Sequence, residues 1–204
     1  MKEVIHKIVN PFPHLVVEEM YTENELFLIW EELNFLTKPH KFIENDQQTG
    51  KNLTSGKLKS ESKSIILEDI YAEKCVSNIL NVNKKLFFGG YFEIFSQINS
   101  QCMSILQQNR SITKIRYYED NEEYLPHIDD YNYTCITFFH KFPKFFVGGE
   151  LNFPDYNYEI PCNNNLMILF PSCIPHAANA VKMNNDQNCD GNGRYSMMQF
   201  LTIN

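Results

Sequence analysis

The sequence predicts an α+β fold, with helices in the first half of the chain and a β-rich second half. In the first half, apolar residues recur at helical spacing, and a helix-capping pattern precedes one such run. From Ser111 onward, eight short segments rich in β-branched and aromatic residues are separated by Pro, Gly, Asn and Asp. No helix-length segment interrupts them, which favours hairpin-linked antiparallel sheets. We therefore expect a double-stranded β-helix, or jelly roll, with the N-terminal helices packed on one of its sheets.

The length indicates a single domain. A chain of 204 residues can bury a sizeable core but is short for two ordinary domains. Its hydrophobic fraction of 43% and charged fraction of 21% are typical of a globular protein. We expect residues 1–204 to form one domain, with 1–110 as mainly helical support and 111–204 as the jelly-roll core.

The first predicted helix runs from Thr22 to about Leu36. Thr22 and Glu25 have the spacing of a capping box. Apolar residues follow at helical intervals: Leu26, Ile29, Trp30, Leu33 and Leu36. Two more helices are predicted, from Glu68 to about Leu80 and from Phe92 to about Gln108.

Between these helices, residues 44–63 form a polar run that contains Gly, Ser and several charges. Such composition is typical of a long surface loop. The sequence leaves two interpretations open, a solvated excursion or a lid over a site.

The charge balance excludes one class of partner. Lys and Arg number 18 against 25 Asp and Glu, for a net charge of -7. A broad phosphate-binding face is not expected from this balance, so we expect no nucleic-acid partner.

No apolar stretch reaches the length of a membrane-spanning helix, and the N-terminal residues lack a signal-peptide core. The six cysteines match no zinc-site spacing. We expect a cytoplasmic protein with reduced thiols and no membrane partner.

The segment His127-Ile128-Asp129 is the strongest chemical signal. On a strand, residues two apart project from the same face, so the imidazole and the carboxylate could bind one metal ion. Asp130 is expected to face away from His127. Because this short pattern also occurs by chance, it needs a third ligand.

His176 is the candidate for that third ligand. Pro171 and Pro175 are expected to end one strand and start the next, which would place His176 early on a strand. Two histidines and one aspartate form the facial triad of non-haem Fe(II) oxygenases. Without the neighbouring pattern, a core or surface histidine would be the preferred interpretation of His176.

Arg194 and Ser196 point to an anionic ligand. The chain has only three arginines, at positions 110, 116 and 194. Arg194 opens the last predicted strand, and Ser196 shares its face. A guanidinium inside an apolar barrel is costly unless it is paired, so this pair suggests a clamp for a carboxylate.

Taken together, the motifs resemble those of the Fe(II)- and 2-oxoglutarate-dependent oxygenases, in the prolyl 4-hydroxylase-like branch. The resemblance rests on PFPHLVVEEMYTENEL, RYYEDNEEYLPHIDD, GGELNFP, LMILFPSCIPH and RYSMMQF, in that order. It covers nearly the whole chain, and the motifs are dense only from Ile115 onward.

The resemblance implies roles for individual residues. His127, Asp129 and His176 match the family's iron ligands. Arg194 matches the basic residue that binds the distal carboxylate of 2-oxoglutarate, and Ser196 would support it.

Further positions are implied in the co-substrate pocket. Tyr117 matches a tyrosine that lines this pocket, and Tyr124 is a weaker candidate for its wall. Gly148 and Gly149 resemble the family's turn before a strand.

Two features depart from the family pattern. Where relatives often have a tyrosine that donates to the co-substrate, this chain has Phe138, with Thr137 beside it as the candidate replacement. Arg194 also follows His176 at a longer interval than is common in the family, which we interpret as an extended hairpin loop.

The implied activity is hydroxylation of an unactivated C–H bond, with succinate and CO2 as co-products. The resemblance implies Fe(II), 2-oxoglutarate and O2, with ascorbate as a further candidate requirement. Prolyl residues in a peptide or protein are the expected substrate. Three alternatives stay open: the same chemistry on a free amino acid or small metabolite, a non-catalytic jelly roll for binding or sensing, and a cupin-like domain with a structural metal.

Overall fold

The computed structural model describes residues 2–37, 62–184 and 191–203. All but the last two residues of the polar run 44–63, interpreted above as a solvated loop or a lid, lie outside these ranges. The helices of the described chain are α1 (Glu23–Leu36), α2 (Leu67–Ile70), α3 (Asn78–Val82), α4 (Lys85–Phe88) and α5 (Tyr91–Ser96). Short 3-10 helices cover Lys74–Val76, Ser100–Gln107 and Pro154–Tyr156.

Within the described ranges, the strands form three antiparallel sheets. In chain order they are β1 (Val4–Ile8), β2 (His14–Glu18), β3 (Lys63–Ile66), β4 (Arg110–Tyr118), β5 (Tyr124–His127), β6 (Tyr133–Phe139), β7 (Phe146–Gly148), β8 (Leu151–Phe153), β9 (Tyr158–Ile160), β10 (Leu166–Pro171), β11 (His176–Ala178), β12 (Val181–Met183) and β13 (Arg194–Thr202). The major sheet has the order β1-β2-β10-β6-β13-β4-β3, the minor sheet has the order β5-β11-β8-β9, and β7 pairs with β12. This α+β arrangement is consistent with the expected jelly roll.

The first helix confirms its sequence signal. Thr22 caps α1, since its hydroxyl accepts from the Glu25 N–H while the Glu25 carboxylate accepts from the Thr22 N–H. Ile29, Leu33 and Leu36 are buried on one face of the helix.

The two later helical predictions are wrong in extent. In place of one helix from Glu68 to Leu80, α2 ends at Ile70, and α3 starts separately where the Ser77 hydroxyl accepts from the Leu80 N–H. In the same way, the Asn99 side chain accepts from the Gln101 and Cys102 N–H groups after α5 has ended. Each polar side chain caps the first turn of a new helix, although apolar residues continue at helical spacing on both sides of it.

Two apolar cores flank the major sheet. One lies between the sheet and the helices and includes Leu33, Phe95 and Met197. The other lies on the opposite face of the sheet and includes Phe138 and Phe153. The helices therefore cover one sheet face, as predicted, and the opposite face is left to the minor sheet and to a cavity.

Among the described residues, no helix is long and apolar enough to cross a membrane. The five cysteines in these ranges are free thiols, while Cys189 lies outside them.

Candidate metal centre and its cavity

His127 and His176 are brought together by the minor sheet. The two residues are direct partners in the antiparallel pairing of β5 with β11. Their imidazole ring centroids lie 4.4 Å apart. One pair of neighbouring strands therefore sets the spacing of both imidazoles.

Asp129 reaches the same point from just beyond β5. The strand ends at His127, so the prediction that Asp129 lies on the strand is wrong. Its N–H donates to the Ser172 carbonyl at 3.2 Å, and its Oδ2 accepts from the Thr134 hydroxyl at 2.6 Å. Asp129 Oδ1 lies 3.6 Å from His127 Nε2, and Oδ2 lies 3.3 Å from His176 Nε2. The carboxylate is thus held between the two imidazoles.

The backbone fixes which histidine nitrogen faces the site. His127 Nδ1 lies 2.9 Å from the Leu125 carbonyl, and His176 Nδ1 lies 3.0 Å from the Ile174 carbonyl. Because a carbonyl only accepts, each Nδ1 carries a proton, which leaves Nε2 of each ring as the nitrogen that faces the site.

The electrostatics keep these groups ready to bind a cation. Burial, followed by repulsion from His176, lowers the pKa of His127 to about 4. Burial alone would raise the pKa of Asp129, but its interaction with the adjacent His176 imidazole, followed by the hydrogen bond from Thr134, lowers it. His127 is therefore neutral and Asp129 ionised at neutral pH, which are the protonation states that metal ligation requires.

The donor set fits a first-row metal ion. His127, Asp129 and His176 offer ligand atoms that all lie within 4.8 Å of one another. Metal–ligand bonds of about 2.0 to 2.2 Å place neighbouring donors about 3 Å apart, close to the 3.6 and 3.3 Å that separate Asp129 from the two imidazoles. Two imidazoles and one carboxylate with open positions match the donor preference of non-haem Fe(II).

A cavity of about 440 Å³ opens onto this triad. Apolar side chains such as Ile136 and Leu151 form part of its wall. Three cations also line it, and each is almost fully buried: Lys114, Arg116 and Arg194. The cavity thus combines a candidate metal centre with a concentration of positive charge in an acidic protein.

Arg194 is held by its neighbours on the strands. Its Nη1 donates to the Ser196 hydroxyl at 2.8 Å, which confirms that the two side chains share a face. The guanidinium carbon lies 4.6 Å from the centroid of Tyr118 and 5.1 Å from that of Phe138. Its buried Nε has no hydrogen-bond partner among the described residues. The geometry leaves donors for an anionic ligand.

Comparisons with known proteins give the fold. No protein-family model and no curated protein matches the sequence. Solved structures do match: a Pseudomonas putida prolyl-4-hydroxylase has a TM-score of 0.58 at 12% identity, covering 94% of this chain and 92% of that chain. A Trichoplax adhaerens prolyl hydroxylase, in complex with a hypoxia inducible factor peptide fragment, has a TM-score of 0.59 at 12% identity, covering 93% and 83%. The chain has the prolyl hydroxylase fold.

A third structure with this fold is the viral collagen prolyl hydroxylase of Paramecium Bursaria Chlorella virus-1 in its 2-oxoglutarate complex. It has a TM-score of 0.53 at 10% identity, covering 93% of this chain and 96% of that chain. The three similarities span nearly the whole chain, so the prolyl hydroxylase fold includes the N-terminal helices as well as the sheets.

The predicted place of Tyr117 is corrected by the structure. Tyr117 pairs with Tyr195 across the sheet, at a ring distance of 4.6 Å, in the core beneath the helices. Its neighbour Tyr118 lines the cavity instead. Because side chains alternate along a strand, an offset of one residue reverses the face.

Thr137 is corrected for the same reason. It pairs across the sheet with Met167 and Met197, both of which belong to the core beneath the helices. On this strand the cavity side carries Ile136 and Phe138. No hydroxyl from Thr137 therefore replaces the family tyrosine, and the Phe138 ring packs against the Arg194 guanidinium.

Gly148 and Gly149 form the predicted turn, with φ values of 77° and 75°. At Gly149 there is a further constraint, because a Cβ atom there would lie 2.7 Å from Arg194 Cδ. This glycine leaves room for the arginine side chain, a role that the turn signal alone did not indicate.

Sequence reasoning missed three cavity residues on β4. Lys114, Arg116 and Tyr118 alternate along the strand and share the face that lines the cavity. Their alternation in KIRYY was a usable signal once Arg194 had been placed on the neighbouring strand. Tyr124, the weaker candidate, does line the cavity and stacks on His127 with ring centroids 3.9 Å apart.

Proposed function

We propose that the chain is an Fe(II)- and 2-oxoglutarate-dependent oxygenase that hydroxylates an unactivated C–H bond, with succinate and CO2 as co-products. One observation carries this proposal: the triad of His127, Asp129 and His176 lines the same cavity as the Arg194–Ser196 pair. A structural metal site would not need a buried arginine beside it. Residues 1–204 would form one catalytic domain with a jelly-roll core from 111 to 204.

Each residue would contribute to binding or orientation. His127, Asp129 and His176 would hold Fe(II), which supplies the activation of dioxygen when it is bound. The backbone carbonyls that fix the Nδ1 protons keep both imidazoles aimed at the ion. Arg194 would bind the distal carboxylate of 2-oxoglutarate, with Ser196 holding the guanidinium. The apolar wall of the cavity would exclude water from the reacting atoms.

Two substrate classes fit this chemistry. Prolyl residues in a peptide or protein are supported by the prolyl hydroxylase structures with the same fold, one of which holds a peptide fragment. A free amino acid or small metabolite is supported by the size of the cavity, about 440 Å³, and by its buried cations.

The first test is succinate formation by the purified full chain with Fe(II), ascorbate, 2-oxoglutarate and a library of proline-containing peptides. We expect Fe(II)-dependent succinate, and a mass gain of one oxygen on the substrate. His127→Ala and Asp129→Ala should abolish both signals, since each removes a metal ligand. His140→Ala is the matched control, because this histidine does not line the cavity. Full turnover by the two ligand variants would overturn the triad assignment.

The second test addresses the co-substrate. Arg194→Ala should raise the KM for 2-oxoglutarate by about 10- to 100-fold, the loss expected for a charge-assisted hydrogen bond. Arg110→Ala removes an arginine outside the cavity and should leave this KM unchanged. An unchanged KM in Arg194→Ala would place the clamp elsewhere.

A further inference from the structure

The cavity contains more positive charge than the proposed co-substrate uses. Arg194 accounts for the distal carboxylate of 2-oxoglutarate, which leaves Lys114 and Arg116 unassigned. The three cations occupy successive positions along the paired strands β13 and β4. Arg194 lies opposite Tyr118, Ser196 lies opposite Arg116, and Met198 lies opposite Lys114. Arg116 and Lys114 therefore lie two and four residues along β4 from Tyr118, the residue that faces Arg194.

Arg116 is positioned next to the metal centre. Its guanidinium carbon lies 4.5 Å from the Tyr124 ring centroid, and the Tyr124 ring stacks on His127 at 3.9 Å. The side chain is 1% exposed, and its Nη1 donates to the Ser62 hydroxyl at 2.8 Å. Its buried Nε has no hydrogen-bond partner within the described part of the chain. A fixed guanidinium with a free donor thus lies one aromatic ring away from a candidate metal ligand.

Lys114 adds a second charge at the same wall. It is 8% exposed and makes no ion pair with any described residue. Burial, followed by repulsion from Arg116, lowers its pKa to about 8. Because Asp129 raises this pKa, the net lowering shows that the charges of the described residues do not offset burial and the repulsion from Arg116.

Among the described residues, the carboxylates that face this cavity form no ion pair with either cation. Asp129 accepts from Thr134 and lies between the two candidate histidine ligands, and Asp130 is exposed. Buried cations without an anionic partner are costly, so a cavity lined by two of them suits an anion that arrives with a ligand.

We propose that Lys114 and Arg116 bind a carboxylate of the substrate, so that the enzyme hydroxylates an acidic compound. This inference rests on the proposed function and names the substrate class of the same site. The carboxylate can come from two sources: the α-carboxylate of a free amino acid, or an acidic side chain close to the reacting residue of a peptide. Either source places the anion beside Tyr124 and the reacting carbon towards the triad.

Binding without turnover tests the proposal first. The full chain is kept anaerobic with Fe(II) and 2-oxoglutarate, and the affinity of matched probes is measured by the shift in melting temperature. One set pairs each proteinogenic L-amino acid with its α-carboxamide. The other pairs end-blocked proline-containing peptides that carry Glu with the same peptides that carry Gln. We expect an acid in one set to bind at least about tenfold more tightly than its amide. The set in which this occurs identifies the source, and no preference for the acid in either set overturns the proposal.

Variants then assign the preference to residues. Lys114→Met and Arg116→Gln should each reduce the preference for acid over amide and leave the KM for 2-oxoglutarate unchanged. Arg110→Gln, on the same strand but outside the cavity, should keep both values. A raised KM for 2-oxoglutarate with an intact acid preference would show that these cations bind the co-substrate, which contradicts the proposal. Lys114→Met removes a side chain without an ion pair and keeps the test valid if Arg116→Gln does not fold.

The failure of the proposed function has a different signature. In that case, wild-type protein would form no succinate with any probe, whether or not acids bind more tightly than amides. Binding affinities and succinate formation therefore report on the two proposals separately.

Discussion

Lys114 is a charge that the folded chain holds away from water, and it should therefore lower the stability of the protein. Its pKa is about 8 in the folded chain against an ordinary value of 10.5. Between these two pH values the unfolded chain binds more protons, so wild-type stability should rise as pH increases from 8 to 10.5. We predict that Lys114→Met raises the free energy of unfolding by about 1 to 3 kcal/mol at pH 7. The gain should shrink above pH 8 and vanish above 10.5, as measured by urea denaturation.

Lys85 provides the matched control for this prediction. It is a lysine whose Nζ lies 2.6 Å from Glu3 Oε1 and 3.5 Å from Glu25 Oε2. Lys85→Met removes compensated charge and should not stabilise the chain. Equal effects of the two substitutions would show that Lys114 bears no electrostatic cost.

Gly149 should affect the arginine clamp as well as its own turn. In Gly149→Ala, the alanine would have to adopt a positive φ, and its Cβ would lie only 2.7 Å from Arg194 Cδ. We expect a loss of about 1 to 3 kcal/mol of stability from strain and overpacking, and a raised KM for 2-oxoglutarate. Denaturation and succinate kinetics measure the two effects.

Gly90→Ala separates strain from contact. Gly90 has a similar φ of 78°, but a Cβ there would meet nothing within 4 Å. This variant should lose stability by backbone strain alone and keep the wild-type KM. If both variants raise the KM equally, the contact between Gly149 and Arg194 does not position the clamp.

At the scale of residues, the sequence predicted which residues group together in the triad and in the Arg194–Ser196 pair, but it placed Tyr117 and Thr137 on the wrong face of their strands. Metal-binding and charged residues that alternate along a strand are visible in a sequence. Which face of the sheet each of them occupies depends on the pairing register, which the sequence does not show. Tyr117 and Tyr118 are adjacent and chemically identical. Only the pairing of Tyr118 with Arg194 selects between them.

Among the elements, α1 is tied to α3 by a buried carboxylate. Glu32 accepts from the Ser77 hydroxyl at 2.8 Å and from the Ile79 N–H at 2.8 Å. We predict that Glu32→Ala lowers the free energy of unfolding by about 2 to 4 kcal/mol, because both donors lose their buried acceptor. Glu31→Ala, one residue earlier and exposed, should change stability by less than about 0.5 kcal/mol. Chemical denaturation measures both variants, and equal losses of unfolding free energy would contradict a stabilising link between α1 and α3 through Glu32.

The same residues explain why helix extents were predicted unevenly. The signals for α1, a capping box followed by apolar spacing, all agree, and the structure follows them. Further on, Ser77 and Asn99 cap new elements inside runs that keep apolar spacing. The spacing of apolar residues indicates which side chains are buried, but it does not show where one helix ends and the next begins.

At the scale of the whole molecule, the candidate metal centre is built on the minor sheet: two of its residues lie on β5 and β11, and the third lies in the segment after β5. The strands of the minor sheet contain three or four residues each, against nine in β4 and β13. We predict that Mn(II), used as a redox-stable probe, slows amide hydrogen exchange in β5 and β11, since their histidines would share one ion. Exchange in β1, at the far edge of the major sheet, should not change. His127→Ala should abolish the protection, and its persistence would place the ion elsewhere.

The overall architecture was predictable because the strand segments are short, numerous and uninterrupted after Ser111. What the sequence could not predict is the cavity itself. Its cations lie on β4 and β13, its triad is carried by β5, β11 and the segment after β5, and only the packing of the two sheets brings them together.

The direct pairing of His127 with His176 has a consequence for how this chain tolerates change in length. Two imidazoles that face each other across one strand pair depend on the register of that pair, so a single inserted residue in β5 or β11 would separate them. Substitutions around them leave the register intact. Insertions and deletions within β5 or β11 should therefore abolish metal binding, whereas those in exposed turns away from the strands that line the cavity should be tolerated.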